Sequence, residues 1–461
     1  MKISKSLSNA SDEKSVAAKK NFGKNMIKAL ALATLTAPFS AYATDFKVTK
    51  LTDSNDGICN NDCSLREAIT VANNTPGFHT IYLKAGLHVL SLPAPIGDDN
   101  EIYDEDNNLN GDLDIRGNIV IIGAAGKASA IDAKQIDRVF EVFENGTLTL
   151  RRMTLTGGFH HYDGGGIRNL GVLSLNDVSM IHNVARYGYS RGRGGAVANY
   201  GYFSAVNSEF ALNWADFGDT SYALGGAVYN ENKMLVRDSA FRMNHANSDD
   251  VLGEGGAIYN SGIADIGRTA FVGNVAEGAG NAIANTATGT LTLSNATIAQ
   301  NYSDEYYPAG AITNFGTATL IHATISGNIR SYGLDNRGKV LVRNSIIVNN
   351  QVDFDNSDPI NCINQGSNYQ FRSLGLLLGG NYNNCYGDNY FPDALTSTSL
   401  FFPLERTEDH EEVFPLRPGS PALDASYGSC SNHDQRKLPR PQDGDGDGVA
   451  ICDLGAYELQ P

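Results

Sequence analysis

Gly225-Gly226-Ala227-Val228-Tyr229-Asn230 decides the fold, because it returns along the chain. Gly194-Gly195-Ala196-Val197-Ala198-Asn199 precedes it and Gly255-Gly256-Ala257-Ile258-Tyr259-Asn260 follows. Gly164-Gly165-Gly166-Ile167-Arg168-Asn169 opens the series, and weaker copies end at Asn285, Asn314 and Asn336. From Asn169 onward the spacings are 30, 31, 30, 25, 29 and 22 residues. Between copies lies an alternating run after a glycine, such as Gly171-Val172-Leu173-Ser174-Leu175 or Gly289-Thr290-Leu291-Thr292-Leu293. A third element is Phe-x-x-Asn, as in Phe210 to Asn213, Phe241 to Asn244 and Phe271 to Asn274. Three short period-2 runs per unit, each closed by a turn residue, make one coil of a parallel β-helix. A propeller blade needs roughly 40–50 residues and a leucine-rich repeat needs its own leucine pattern. No apolar stripe at helical spacing runs through these units.

Alternation puts Val228 and Asn230 on one side of the strand, and Ala227 and Tyr229 on the other. The column Ile167, Val197, Val228, Ile258, Ile283, Ile312 is expected to face the core. The asparagines are expected at tight corners, where they tolerate left-handed geometry and where stacked amides bond from coil to coil. At about 4.8 Å per coil, about 9–10 coils over residues 115–350 predict a rod of roughly 45–50 Å.

The chain has 461 residues, Lys+Arg 35 against Asp+Glu 51, and a net charge of −16. An acidic chain repels phosphate backbones, which argues against a nucleic-acid partner. Lys19, Lys20, Lys24 and Lys28 precede an apolar run from Ala29 to Phe39, followed by Ala41-Tyr42-Ala43. Residues 1–43 therefore read as a secretory signal peptide, starting at Met1 or Met26. No later run reaches the roughly 18 apolar residues of a spanning helix. An even set of cysteines in an exported chain suggests disulfides. Proximity favours Cys59–Cys63, Cys362–Cys385 and Cys430–Cys452.

The Gly-Gly-Ala-Val/Ile and Phe-x-x-Asn elements resemble the repeat of polymorphic outer-membrane proteins. Cys63-Ser64-Leu65-Arg66-Glu67-Ala68-Ile69, with Ala72-Asn73, is similar to the CSLREA domain of exported bacterial β-helix proteins. Pro418-Gly419-Ser420-Pro421-Ala422-Leu423-Asp424, Asp434-Gln435-Arg436 and Cys452-Asp453-Leu454-Gly455-Ala456-Tyr457-Glu458 resemble the "choice-of-anchor Q" tail found with it. Lys437 stands where that tail usually has glycine. The resemblance covers roughly residues 45–461 and implies an all-β, right-handed parallel β-helix, exported and surface-associated, with no established reaction. The expected division is a signal peptide (1–43), an N-terminal cap (44–114), the β-helix (115–350) and a loop-rich C-terminal cap (351–461). Ser64 and Glu67 have the spacing of a capping box, and Leu65, Ala68, Ile69 and Ala72 form one apolar helix face. Such a helix covers the open end of the rod.

Asp443, Asp445 and Asp447 alternate with glycine as in the first half of a calcium loop, without the acidic residue expected at its twelfth position. Asp104, Asp106 and Asp112 make a second oxygen-rich stretch. Calcium is the one cofactor these residues suggest. The variable corners between Phe-x-x-Asn and Gly-Gly-Ala carry Tyr187, Tyr189, Trp214, Phe217, Tyr222, Tyr306 and Tyr307, with Tyr229 and Tyr259 outward on adjacent strands. Stacked along one edge, they predict an aromatic ridge that binds an extended carbohydrate or cell-surface polymer. The leading expectation is an exported monomeric binding or adhesion module at the cell surface, outside it, or in the periplasm. Polysaccharide lyases and hydrolases also use this fold, an analogy only. Glycoside cleavage needs two carboxylates roughly 5–9.5 Å apart, which Asp163, Asp216, Asp219, Asp249 and Glu254 could supply. A lyase needs cations at an acidic sugar, for which Arg168, Arg191 and Arg193 are candidates. The third possibility is a structural envelope protein without ligand.

Overall fold

The structure is a computed structural model that describes residues 43–461 except 98–101, 104, 188–191, 218–221, 249–252, 304–307, 353–359, 366–369, 381–384, 392–396 and 408–411. The expected signal peptide, but for Ala43, lies outside the described residues. The chain winds into a parallel β-helix, right-handed as right-twisted parallel strands require of their crossovers. One coil reads Val228–Asn230 in a ten-stranded sheet, Lys233–Arg242 in a sixteen-stranded sheet and His245–Ser248 in a five-stranded sheet. Register is strict: Asn199 pairs with Asn230 and Asn230 with Asn260.

Three features of the coil differ from the expectation. The alternating run and the Phe of Phe-x-x-Asn share one ten-residue strand, bent at a residue of positive φ. That residue is Asp238, Arg268, Asn295, His322 or Asn344 in successive coils, with φ between 48° and 52°. The third sheet is instead built by residues after the Asn, such as Trp214–Phe217 and His245–Ser248, which the repeat spacing places in the corners. Nor do the repeat asparagines take left-handed geometry. In the second column it falls on the preceding residue, as at Leu212 (φ 56°), Met243 (φ 49°) and Gln300 (φ 57°). The Asn then points inward and is fully buried.

Two files of asparagine run down the rod. Asn169, Asn199, Asn230, Asn260, Asn285, Asn314, Asn336 and Asn364 each donate Nδ2 to the next Oδ1 at 2.7–2.8 Å. Asn183, Asn213, Asn244, Asn274, Asn301, Asn328, Asn350 and Asn361 do the same at 2.7–3.0 Å. Between them lies the apolar core. Phe210 stacks on Phe241 at 4.7 Å and Phe241 on Phe271 at 4.9 Å. The Val/Ile column is buried as expected. Ala196, Ala227 and Ala257 join the core rather than facing out, because strict alternation begins one residue later.

Parallel pairing extends beyond residues 115–350. Thr44–Lys47 pairs with Phe78–Tyr82, and Gln370–Gly379 with Asn389–Phe391. Thirteen strands follow one path through the long sheet, which at ~4.8 Å per coil makes a rod of about 58 Å. The helix Leu65–Asn73 buries Leu65, Ala68, Ile69 and Ala72, as its pattern predicts. Both arms of the capping box form: Ser64 Oγ accepts from Glu67 N at 3.1 Å, and Ser64 N donates to Glu67 Oε2 at 2.8 Å. Arg66 is buried too, donating to the carbonyls of Asn110, Gly111 and Asp112 and to Asp53. The three disulfides are Cys59–Cys63, Cys362–Cys385 and Cys430–Cys452.

The C-terminal residues, expected beyond the far end, also run back along the rod's flank. Gly455 N donates to Asn344 O (2.9 Å), Ala456 N to Thr324 Oγ1 (2.9 Å), and Thr297 Oγ1 to Gln435 Oε1 (2.8 Å). Farther back, Glu412 pairs with Arg242. A Cβ on Gly455 would lie 2.5 Å from Thr324 Oγ1, so this contact requires glycine.

Candidate functional site

Each Phe-x-x-Asn corner turns its Asn inward and the residues on either side outward. Stacking this corner makes two parallel outward columns. One is Leu212, Met243, Gly273, Gln300, Gly327, Asn349. The other is Val184, Trp214, His245, Val275, Tyr302, Ile329, Gln351, fixed by strand pairing and isolated bridges. Between them lies a groove along the rod.

Its first part, about 510 Å³, is lined by Leu212, Trp214, Met243, His245, Val275 and Tyr302, with Arg242 at its side. Trp214 meets His245 edge-on at 5.1 Å. The second part, about 650 Å³, shares Gln300 and Tyr302 and continues past Ile329 and Gln351 to the C-terminal segment Phe401–Leu404. Trp214, Tyr302 and Phe402 are 42%, 39% and 41% exposed; what sets them apart from singly exposed rings elsewhere is that they line one groove. Trp214 and Tyr302 stand three coils apart, about 14 Å along the rod. The far wall is set by pairing of the two tail segments: Phe402 N donates to Pro415 O (2.8 Å) and Arg417 N to Leu400 O (3.0 Å).

The aromatic residues expected to form one ridge divide among several places. Trp214 lines the groove. Tyr229 and Tyr259 lie on the ten-stranded sheet, stacked at 5.5 Å, with Tyr229 largely buried and its hydroxyl pushed up to about 12 by that burial. Tyr222 is exposed in its corner. Tyr187 and Phe217 end their strands. Tyr189, Tyr306 and Tyr307 lie outside the described residues. Met243, Gln300, Phe402 and Arg417 were not singled out from the sequence. The first two flank an Asn of the repeat, and that flanking position was the signal.

Of the candidate catalytic residues that are described, Arg168, Asp216, Arg193 and Asp163 are held in ion pairs or hydrogen bonds. Arg168 pairs with Glu141 at 2.7 Å, and Asp216 with Arg186 at 3.1 Å. Arg193 lies 3.7 Å from Asp163 and donates to Tyr200 at 2.9 Å, while Tyr200 donates to Asp163 at 2.7 Å. Burial opposes the Arg193 charge, but Tyr200 and Asp163 outweigh it and raise its pKa, which makes it a poor base. Burial raises Tyr200 as well. Burial alone raises Glu254. His160, beside this cluster, is held well below its ordinary value by burial and then by Arg138. Asp219, Asp249 and Arg191 lie outside the described residues.

Of the calcium candidates, Asp443 and Asp445 come together, joined by Asp424 from earlier in the C-terminal segment, with carboxylate oxygens within 4.8 Å of one another. Asp447 instead accepts from Val449 N at 2.8 Å. The second stretch does not converge: Asp106 sits at the surface near Arg116 (3.7 Å), and Asp112 is buried 3.6 Å from Arg138. Asp104 lies outside the described residues.

No family model matches the chain, and no curated protein matches it. Among solved structures, pectate lyase Pel9A is similar over 91% of this chain and 97% of its own, at 16% identity and a TM-score of 0.47. A likeness of this degree says nothing about chemistry. Among the described residues no helix is long and apolar enough to cross a membrane.

Proposed function

We propose that this protein is an exported, surface-associated binding module that holds an extended glycan in the groove running from Trp214 to Gln351. The observation that carries the reading is a groove parallel to the rod axis that holds three half-exposed aromatic rings, Trp214 and Tyr302 on its rod side and Phe402 on its tail side. Sugar rings present apolar faces that stack on aromatic side chains, while their hydroxyls bond to amides such as Gln300, Asn349 and Gln351. One coil advances about 4.8 Å, a step comparable to a pyranose ring, so a linear chain lying along the groove meets Trp214 and Tyr302 about three sugars apart, with His245 and Val275 between them. The disulfides accord with export to an oxidising compartment.

Calcium enters this reading as a stiffener of the turn Asp443 to Gly448, held by Asp424, Asp443 and Asp445, and not as a catalyst. The test is a glycan array followed by calorimetry on the full chain. The expected result is binding of linear glycans, weakened about tenfold or more by Trp214→Ala with the melting temperature unchanged. The same glycans are assayed for new reducing ends and unsaturated products. Turnover would replace binding by catalysis, and unaltered affinity in Trp214→Ala would remove the groove from the function.

A further inference from the structure

Resting on that reading, we propose that the Arg417 end of the groove selects glycans carrying anionic groups, a carboxylate or a sulfate on the sugar. Arg417 is posed as a receptor. Its Nε donates to Phe401 O at 2.8 Å, and its guanidinium lies 4.3 Å from the centre of the Phe402 ring. Those two contacts hold the plane of the guanidinium, while its terminal nitrogens make no hydrogen bond or ion pair to the described residues. It lines the wider part of the groove with Tyr302 and Phe402. A pre-oriented guanidinium fork binds carboxylate or sulfate through two parallel N–H bonds, whereas a neutral sugar gains far less from it.

The surroundings make Arg417 distinctive. Arg242, which lines the other part of the groove, is neutralised by Glu209 and Glu412. Arg406, nearby on the tail, also reaches Glu209, at 3.5 Å. None of the described residues lining either part is a carboxylate. In a chain of net charge −16, whose overall field repels anions, an arginine that has no ion pair among the described residues and sits among aromatic rings makes a local exception. Sulfate and carboxylate share this chemistry and are separated by experiment.

The test compares the full chain on three oligosaccharides of equal length at low salt: an oligogalacturonate, a sulfated dextran fragment and a neutral cello-oligosaccharide. The expected result is at least tenfold tighter binding of one or both anionic probes, weakened by rising salt. Arg417→Gln lowers affinity for the anionic probes by far more than for the neutral one and so removes the preference, and Arg417→Lys restores only part of it. Trp214→Ala weakens all three. Equal affinity for charged and neutral probes overturns the proposal but leaves the groove reading intact, provided Trp214→Ala still weakens binding. Loss of all three probes in Arg417→Gln also overturns it, since the residue then only shapes the wall. Oligothymidylate is run as a fourth, non-sugar polyanion, and its equally tight binding overturns the proposal in favour of nucleic acid. Binding of no probe defeats the groove reading itself, and this proposal with it.

Discussion

An asparagine within either file donates to one neighbour and accepts from the other while fully buried. Asn244 donates to Asn274 at 2.9 Å and accepts from Asn213 at 3.0 Å. Removing the amide leaves the buried Asn213 N–H and Nδ2 without their shared acceptor and takes one donor from Asn274 Oδ1 and from Phe210 O, so Asn244→Ala is expected to cost about 2–4 kcal/mol. Urea unfolding measures it, and a loss under about 1 kcal/mol would mean that water replaces the missing amide. Lys437 makes the opposite case. It holds φ 66°, a region costly for residues with a Cβ. Lys437→Gly is expected to stabilise the chain by up to ~1 kcal/mol, read as a higher denaturant midpoint, because the relief of left-handed strain exceeds the glycine's added unfolded-state freedom.

At the scale of the element, the helix Leu65–Asn73 and the acidic turn each make a checkable claim. Glu67 closes the capping box and also accepts from Ser54 Oγ at 2.6 Å, all while buried. Glu67→Ala leaves those donors without a partner, and a loss of about 2 kcal/mol is expected. Hydrogen exchange should rise in the helix and first coils before the middle of the rod; uniform acceleration would contradict an end cap. For the turn, millimolar calcium is expected to slow exchange at Gly444–Gly448 in the native chain but not in Asp424→Ala. Identical exchange with and without calcium would remove the ion from the account. The capping helix and acidic turn were legible because their residues are contiguous in sequence. Asp424 was not, since it reaches the turn from about twenty residues away.

For the molecule as a whole, the tail decides how pH acts. Its contact with the rod buries Arg440, Glu458, Asp453 and His322 together. Burial pushes Glu458 up to about 7 and Asp453 up to about 6, against the pull of Arg440 on both. His322, buried and facing Arg440, is held down to about 2 and stays neutral. A carboxyl raised in the folded chain keeps a proton that the unfolded chain releases. The stability these two carboxyls provide is thus full below the ordinary carboxylate value near 4 and declines as pH rises toward 7. Proteolysis of the region Ser420–Pro461 is expected to be slower at pH 5 than at pH 8 under matched protease activity. A flat or reversed profile would refute the assignment.

Sequence alone specifies the coil, the core column, the presence of asparagine files and the capping helix, because each depends on residues close in sequence or on identical residues at regular spacing. Stacking converts such local periodicity directly into contact. What the spacing could not decide was which corner residue takes the left-handed conformation, and hence which side chains face out beside Asn213, Asn244 and Asn301. That choice depends on backbone bonds to the coils above and below. The groove's far wall lies further still from local reading, for Phe402 and Arg417 reach Tyr302 only because the tail folds back along the flank. No period in the sequence encodes a contact between segments about a hundred residues apart; side-chain fit and buried hydrogen bonds between tail and rod decide it.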